Sequence, residues 1–317
     1  MSMLRLENVT KTYEKNIAVN QVTFDVPEGS LFGLLGPNGA GKTSLIRIIT
    51  TITRADEGVV YLDGEKLNNR HPEQIGYMPE ERGLYKKMKV GEHLMYLAQL
   101  KGLSNQQARQ EIGYWFEKFD IKDWWSKKVE ELSKGMQQKI QFIATVVHRP
   151  KLLILDEPFS GLDPINTNLI KDEIHELNEQ GRTIIFSTHR MEQVEEICKK
   201  IVLINKGSNI LEGDVKSIKN EFKDNLFKID YEGALPPEVK ERFRVVNENG
   251  HSITIQVPDE RDSNQLLQYL LQKGVYIHAF NEILPTLNQI FIKQVEDANK
   301  VGVMGDRANR GIGACLK

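Results

Sequence analysis

Hydrophobic positions change their period several times along this chain, and each change predicts a change of element. Val22-Thr23-Phe24-Asp25-Val26 alternates apolar and polar, the pattern of a half-buried strand, and Pro27-Glu28-Gly29 then turns the chain. Leu31-Phe32-Gly33-Leu34-Leu35 is apolar throughout, as a strand covered on both faces requires. In Ser44-Leu45-Ile46-Arg47-Ile48-Ile49 the spacing becomes helical, and Val59 to Tyr61 with Asp63-Gly64 predicts a short strand and turn. From about Val90 to Arg149 the pattern is helical. Leu94, Leu97, Ala98 and Leu100 outline one apolar face, Ser104 is placed to cap a helix through Phe119, and a further helix runs from near Ser133 to Pro150.

Strand–helix alternation then returns. Lys151 to Leu155 predicts a strand, Ile165 to Gln180 a helix closed by Gly181, and Thr183 to Phe186 another strand. Met191 to Lys200 predicts a helix, and Ile201 to Ile204 a strand ending at Asn205-Lys206-Gly207. Repeated units of this kind imply an α/β fold with a mainly parallel sheet, divided by the helical insert at about 84–149. Beyond about Asp214 the pattern is α+β. Phe227 to Tyr231 and Ile253 to Val257 alternate, with a turn expected at Asn247-Glu248-Asn249-Gly250. Leu266, Leu267, Leu270 and Leu271 mark a helix, Val275 to Phe280 a strand, and Leu284 to Lys293 a last helix. The expected organisation is a large domain over 1–214, a small one over 215–296, and a disordered tail over 297–317 rich in Gly, Asn and charge. No internal repeat stands out.

Composition narrows the class. With 317 residues the chain exceeds one average domain, and its net charge of −2 argues against a strongly basic nucleic-acid binder. No stretch approaches the roughly 18–20 apolar residues that cross a bilayer, and the N-terminal residues lack secretory character. Cys198 and Cys315 are far apart and suggest neither a disulfide framework nor a metal site, so a reducing cytoplasm is expected.

Two segments carry the chemistry. Gly36-Pro37-Asn38-Gly39-Ala40-Gly41-Lys42-Thr43 fits G-x-x-x-x-G-K-[ST] and lies between the buried strand and the helix that Ser44 opens. A glycine-rich turn there lets backbone N–H groups converge on phosphate beside the positive end of a helix dipole. Lys42 would reach the β- and γ-phosphates, and the Thr43 hydroxyl would ligate Mg²⁺. The second segment, Lys151-Leu152-Leu153-Ile154-Leu155-Asp156-Glu157-Pro158, delivers Asp156 to the sheet edge where ligands of open α/β sheets bind. Asp156 there can hold Mg²⁺, and Glu157 can polarise a water aimed at the γ-phosphate.

Shorter motifs point to a family. Leu132-Ser133-Lys134-Gly135-Met136 resembles the LSGGQ signature of ABC-type ATPases, Ser160-Gly161-Leu162-Asp163 their D-loop, and His189 their switch histidine. Tyr13 matches the aromatic that stacks on adenine. Taken singly, Ser133 is as readily an N-cap, His189 a polar strand end and Tyr13 a packing residue. The resemblance spans about Leu4 to Gly213 in the family's order. It implies a P-loop NTPase fold of ABC type with an antiparallel β region beside the parallel core. It also implies ATP and Mg²⁺ as cofactors, held by Tyr13, Gly36, Asn38 to Ser44, Glu80, Asp156, Ser133 and Gly135. Thr43, Glu80 and Asp156 would face the metal; Glu157, His189 and Lys42 would be catalytic.

In that family the site is shared between two domains, one supplying the phosphate loop and the other the signature helix. One chain with one of each implies a homodimer or a related second subunit. Lys134 and Met136 depart from LSGGQ, and Glu80, in Tyr77-Met78-Pro79-Glu80-Glu81-Arg82, stands where the family's glutamine is usual. That variant resembles ATP-binding subunits of ABC-2-type exporters, including the sodium-extrusion subfamily, whose accessory domain the C-terminal region resembles. The implied function is an ATPase subunit on the inner face of the cell membrane, powering export through a separate permease. No nucleic-acid partner is expected. The segment from Leu84 to Glu130, with Trp115, Trp124 and Trp125, is either a docking surface or helical core. The rival readings are a soluble ABC-type ATPase unconnected with transport and an ATP-gated regulatory module.

Overall fold

Two long strands, β1 (Ser2–Tyr13) and β2 (Asn16–Pro27), form a hairpin that buries Leu4, Leu6, Val9, Val19, Val22, Phe24 and Val26 and leaves Thr23 and Asp25 outside. The computed structural model describes residues 1–296, in two units that meet between Asp214 and Val215. The tail expected over 297–317 lies outside the described residues. After the hairpin come β3 (Leu31–Leu35), α1 (Lys42–Ile49), β4 (Glu57–Leu62), β5 (Glu65–Lys66) and β6 (Ile75–Met78). The helical insert holds α2 (Val90–Leu100), α3 (Asn105–Lys118) and α4 (Lys134–Val146). β7 (Leu152–Asp156), α5 (Pro164–Glu179), β8 (Thr183–Thr188), α6 (Met191–Ile197), β9 (Lys200–Asn205) and β10 (Ser208–Asp214) complete the unit.

The strands build two sheets. One is antiparallel in the order β2-β1-β4-β5; the other runs β10-β9-β3-β8-β7-β6 and is parallel except for the β9–β10 hairpin. Every residue of β3, β7 and β8 is buried, which is why those strands are the most continuously apolar. Phe24 stacks on Phe32 with centroids 5.7 Å apart, and α1 adds Leu45, Ile46, Ile48 and Ile49 to the same core. On β3 a Cβ at Gly33 would lie 2.7 Å from Val194 Cγ1 and 2.9 Å from Ile201 Cγ2, with Cys198 Sγ at 3.5 Å. Glycine therefore lets α6 and its flanking residues close onto the strand.

Two expectations change in this unit, and one alternative left open is decided. α6 stops at Ile197, because Lys200 already pairs with Phe32 of β3 and Asp214 of β10 and must be extended. The buried face of α2 is Val90, Gly91, His93, Leu94 and Ala98; Leu100 is 61% exposed at the helix end. Trp115 is core, edge-on to Phe119 and Phe142, and Trp125 packs against Gly91 and Phe116. Ser104 caps α3 through a capping box with Gln107.

The second unit contains α7 (Val215–Glu221), β11 (Leu226–Glu232), α8 (Glu238–Arg242), β12 (Arg244–Asn249), β13 (Ser252–Gln256), α9 (Asp262–Gln272) and β14 (Tyr276–Ile283), and residues 287–296 are helical. From β11 onward the order is β-α-β-β-α-β, and the antiparallel sheet runs β12-β13-β11-β14, a split βαβ arrangement. Phe227, Ile229, Tyr231, Ile253 and Ile255 meet Val239, Leu266 and Leu270 in its core. β12 runs on to Asn249, which pairs with Ser252, so the turn is Gly250-His251 rather than Asn247 to Gly250. Leu271 points away from the core, and the last helix starts at 287, where a Thr286–Gln289 capping box sets its end.

Candidate functional site

A cleft of about 650 Å³ opens where the loop between β3 and α1 meets the carboxyl end of β7. Asn38, Gly39, Ala40, Gly41, Lys42, Thr43 and Ser44 line one side, and Glu80, Asp156 and Glu157 face them. Asn16, Ile17 and Ala18 of the first hairpin, with Lys206 and Gly207 of the β9–β10 turn, close the rim. Those five were not expected. The only sequence signal was the turn at Lys206-Gly207, because both rims reach the loop through tertiary packing.

The loop is wedged between these rims. A Cβ at Gly41 would stand 2.3 Å from the Ala18 carbonyl oxygen, and one at Gly36 would stand 2.2 Å from that of Ile204. Only glycine allows both approaches. Gly207 N–H donates to Ala40 O at 2.8 Å, and Asn20 N–H to Gly207 O at 2.8 Å, so turn, loop and hairpin are stitched together. α1 begins at Lys42 without a side-chain cap, directing its free N–H groups and dipole toward the loop. Lys42 Nζ donates to Gly36 O at 2.6 Å and to Pro37 O at 3.1 Å. Burial lowers the Lys42 pKa, and the charges of Glu157, Asp156 and Glu80 work against that shift.

Asp156 and Glu157 are consecutive, so regular strand geometry would send them to opposite faces. Glu157 instead takes a left-handed backbone with φ 50°, costly for a residue with a Cβ, and both carboxylates reach the cleft. Both are buried. Asp156 Oδ1 accepts from Ser187 Oγ at 2.7 Å. Burial raises its pKa, the Ser187 bond lowers it, and Glu157 raises it again. Glu157 is held at every polar atom: its N–H donates to Ser187 O at 2.8 Å, and Oε2 accepts from the Thr188 hydroxyl at 3.0 Å. Its Oε1 accepts from His189 N–H at 2.8 Å and lies 2.6 Å from His189 Nδ1.

The remaining predicted residues lie elsewhere. Tyr13, 40% exposed, pairs across the hairpin with Asn16 but does not line the cleft; Lys11 Nζ sits 5.5 Å from its ring centre. Gly36, the first residue of the loop, packs against the Ile204 carbonyl and does not line the cleft. Ser133 and Gly135 stand at the start of α4, outside the cleft. Ser133 Oγ accepts from Met136 N–H at 3.3 Å, and a Cβ on Gly135 would find Asn166 Nδ2 at 3.5 Å. Among the described residues no cluster of three or more His, Cys, Asp or Glu could hold a metal unaided. Thr43, Glu80 and Asp156 nevertheless offer hard oxygens around one cleft. Such a donor set suits Mg²⁺, which keeps several ligands from water and phosphate.

Known proteins resemble this chain along most of its length. Residues 19–160 match the family model described as ABC transporter, and residues 213–295 match that of the ATP-binding protein DrrA1-3-like, C-terminal domain. The uncharacterized ABC transporter ATP-binding protein YhaQ of Bacillus subtilis is 44% identical, covering 92% of this chain and 98% of its own. The lipopolysaccharide export system ATP-binding protein LptB of Haemophilus influenzae is 31% identical over 70% of this chain and 94% of its own. Among solved structures, an ATP binding subunit of an ABC transporter superposes with a TM-score of 0.65 at 28% identity, covering 70% of this chain and 93% of that one.

Proposed function

Because the chain belongs to the ABC transporter ATP-binding proteins, and is the ATPase subunit that powers such a transporter, we propose how its residues divide the work. Asn38 to Ser44 cradle the phosphates, with Lys42 on the terminal pair. Mg²⁺, held by Thr43, Asp156 and Glu80 together with phosphate oxygens, would supply positive charge against the negative charge that builds up in phosphoryl transfer. Glu157 takes the proton of the attacking water; Thr188 and His189 aim its carboxylate, with His189 Nδ1 in hydrogen-bond reach of Oε1. Ile17 and Asn16 give the nucleotide base its rim, with Tyr13 beside them in the hairpin.

The observation that carries this reading is the separation of the site into two parts. Phosphate loop, Asp156 and Glu157 share one cleft, while Ser133 and Gly135 stand outside it on an open helix start. A second copy or a related subunit, placed head to tail, would bring its α4 start to this cleft and receive the reciprocal contact. ATP then closes the pair and hydrolysis reopens it.

No helix among the described residues is long and apolar enough to cross a membrane. Attachment to the inner face of the cell membrane through an integral permease is the corresponding proposal, with export as its direction. Trp115 lies in the core, so the docking surface within 84–130 is better supported at Tyr85 and Tyr96, two exposed rings 6.0 Å apart. The test is purification from solubilised membranes with identification of the bound permease, and phosphate release with and without Mg²⁺. A bound permease and Mg²⁺-dependent release are the expected results. Release without any membrane partner favours a soluble ATPase, and binding without release favours an ATP-gated module.

A further inference from the structure

α4 turns two glutamine side chains inward, Gln138 at 3% exposure and Gln141 at 4%. A buried amide seeks partners, and the N–H groups of these two find backbone carbonyls at the two carboxylate-bearing segments that face the phosphate loop. Gln138 Nε2 donates to the Pro158 carbonyl at 2.8 Å, next to Glu157, and its Oε1 accepts from Arg82 Nε at 3.1 Å. One turn on, Gln141 Nε2 donates to the Pro79 carbonyl at 2.6 Å, next to Glu80. Arg82 reaches further: its Nη2 lies 3.5 Å from the point where a Cβ on Gly161 would stand. Glu80 is thus bracketed by two anchored neighbours, and the turn after Glu157 is tied to the same helix.

We propose that Gln138 is a positioning residue for hydrolysis. Its amide ties the Glu80–Arg82 loop to the carbonyl that follows Glu157, so the backbone that presents the carboxylate to Thr188 and His189 is kept in register with loop and helix. Glutamine is suited to this because one primary amide donates and accepts at once. A glutamate keeps only the acceptor for Arg82 and sets an anion against the Pro158 carbonyl; a methionine of similar volume keeps neither bond. The strained backbone of Glu157 makes the arrangement sensitive, since nothing in its local preference would restore φ 50° once Pro158 is released.

The inference rests on Glu157 acting as the base, so the experiment carries Glu157→Gln beside Gln138→Glu and Gln138→Met. Full-length protein is used for Mg-ATP affinity, steady-state turnover and thermal melting. Misplacement of a catalytic group by about 1 Å costs on the order of 10²-fold, so both Gln138 variants should lose turnover on that scale. Nucleotide affinity should stay within about threefold, because the phosphate loop is untouched. Turnover within about twofold of wild type in either folded variant, with Glu157→Gln inactive, overturns the positioning role alone. Parallel loss of affinity, turnover and melting temperature in both overturns it as well, since that marks a merely structural contact. Near-normal turnover in Glu157→Gln removes the base and this inference together.

Discussion

Two glycine-bearing helix starts in one chain have opposite surroundings. At the start of α1, Gly41 and Lys42 are pressed between the hairpin and the β9–β10 turn, and the side chain at the second position is buried among three carboxylates. At the start of α4, Ser133 is exposed, caps its own helix, and leaves Gly135 with little around it. The first is a finished half-site, and its geometry is set by packing within the chain. The second is a surface whose glycine has no internal reason to be a glycine. The comparison supports a site completed from outside.

The largest effect should come from breaking the finished half. Glu157→Gln removes the proton acceptor and keeps the shape, so turnover should fall by about 10²–10⁴ while Mg-ATP still binds. An ATP-bound dimer should accumulate and be visible by size-exclusion chromatography; near-normal hydrolysis would sink the assignment. The open half is tested by Gly135→Asp, which puts a carboxylate where a partner's γ-phosphate is proposed to approach. Lone subunits should keep nucleotide affinity, and ATP-driven dimerisation and cooperative turnover should disappear. Intact cooperativity in that variant would mean the start of α4 does not face nucleotide.

Smaller effects sharpen the contrast. Glu80→Gln exchanges a carboxylate near Mg²⁺ for an amide that still accepts a bond, and should keep turnover within about tenfold, or roughly 1.4 kcal/mol of barrier. Glu80→Ala should lose more; equal, wild-type-like rates for both would place Glu80 outside the metal's reach. Ser133→Ala removes the cap of α4 and should cost about 1 kcal/mol in urea unfolding. A loss of turnover larger than that stability change explains would show the hydroxyl acting on a ligand as well.

What could be seen in the sequence follows the same division. Contiguous chemistry was legible: the loop from Gly36 to Ser44 and the strand ending at Asp156 are local patterns whose spacing declares their geometry. Rims built by tertiary packing were not, because nothing in Asn16-Ile17-Ala18 differs from an ordinary hairpin end. Gln138 and Gln141 look like surface residues in the sequence, and only the fold shows that they turn inward. Leu100 and Leu271 misled in the opposite sense: helical spacing put them on apolar faces, but each helix buries its core face a step earlier. β6 went unread because Gly76, where a Cβ would meet the Thr145 carbonyl, breaks a four-residue apolar run, and β10 because none of its residues is fully buried and its pattern is mixed.

The thiol of Cys198, packed on Gly33 beneath α6, offers a clock. Burial pushes its pKa up and keeps reagents away, so alkylation has to wait for α6 to lift from β3. With Cys315 replaced by serine, the labelling rate at Cys198 becomes a direct count of those openings. β3 runs straight into the phosphate loop, so a nucleotide that tightens the loop should slow the clock. A single sulfur atom thereby reports, without any enzyme assay, how firmly the core of the ATPase is shut.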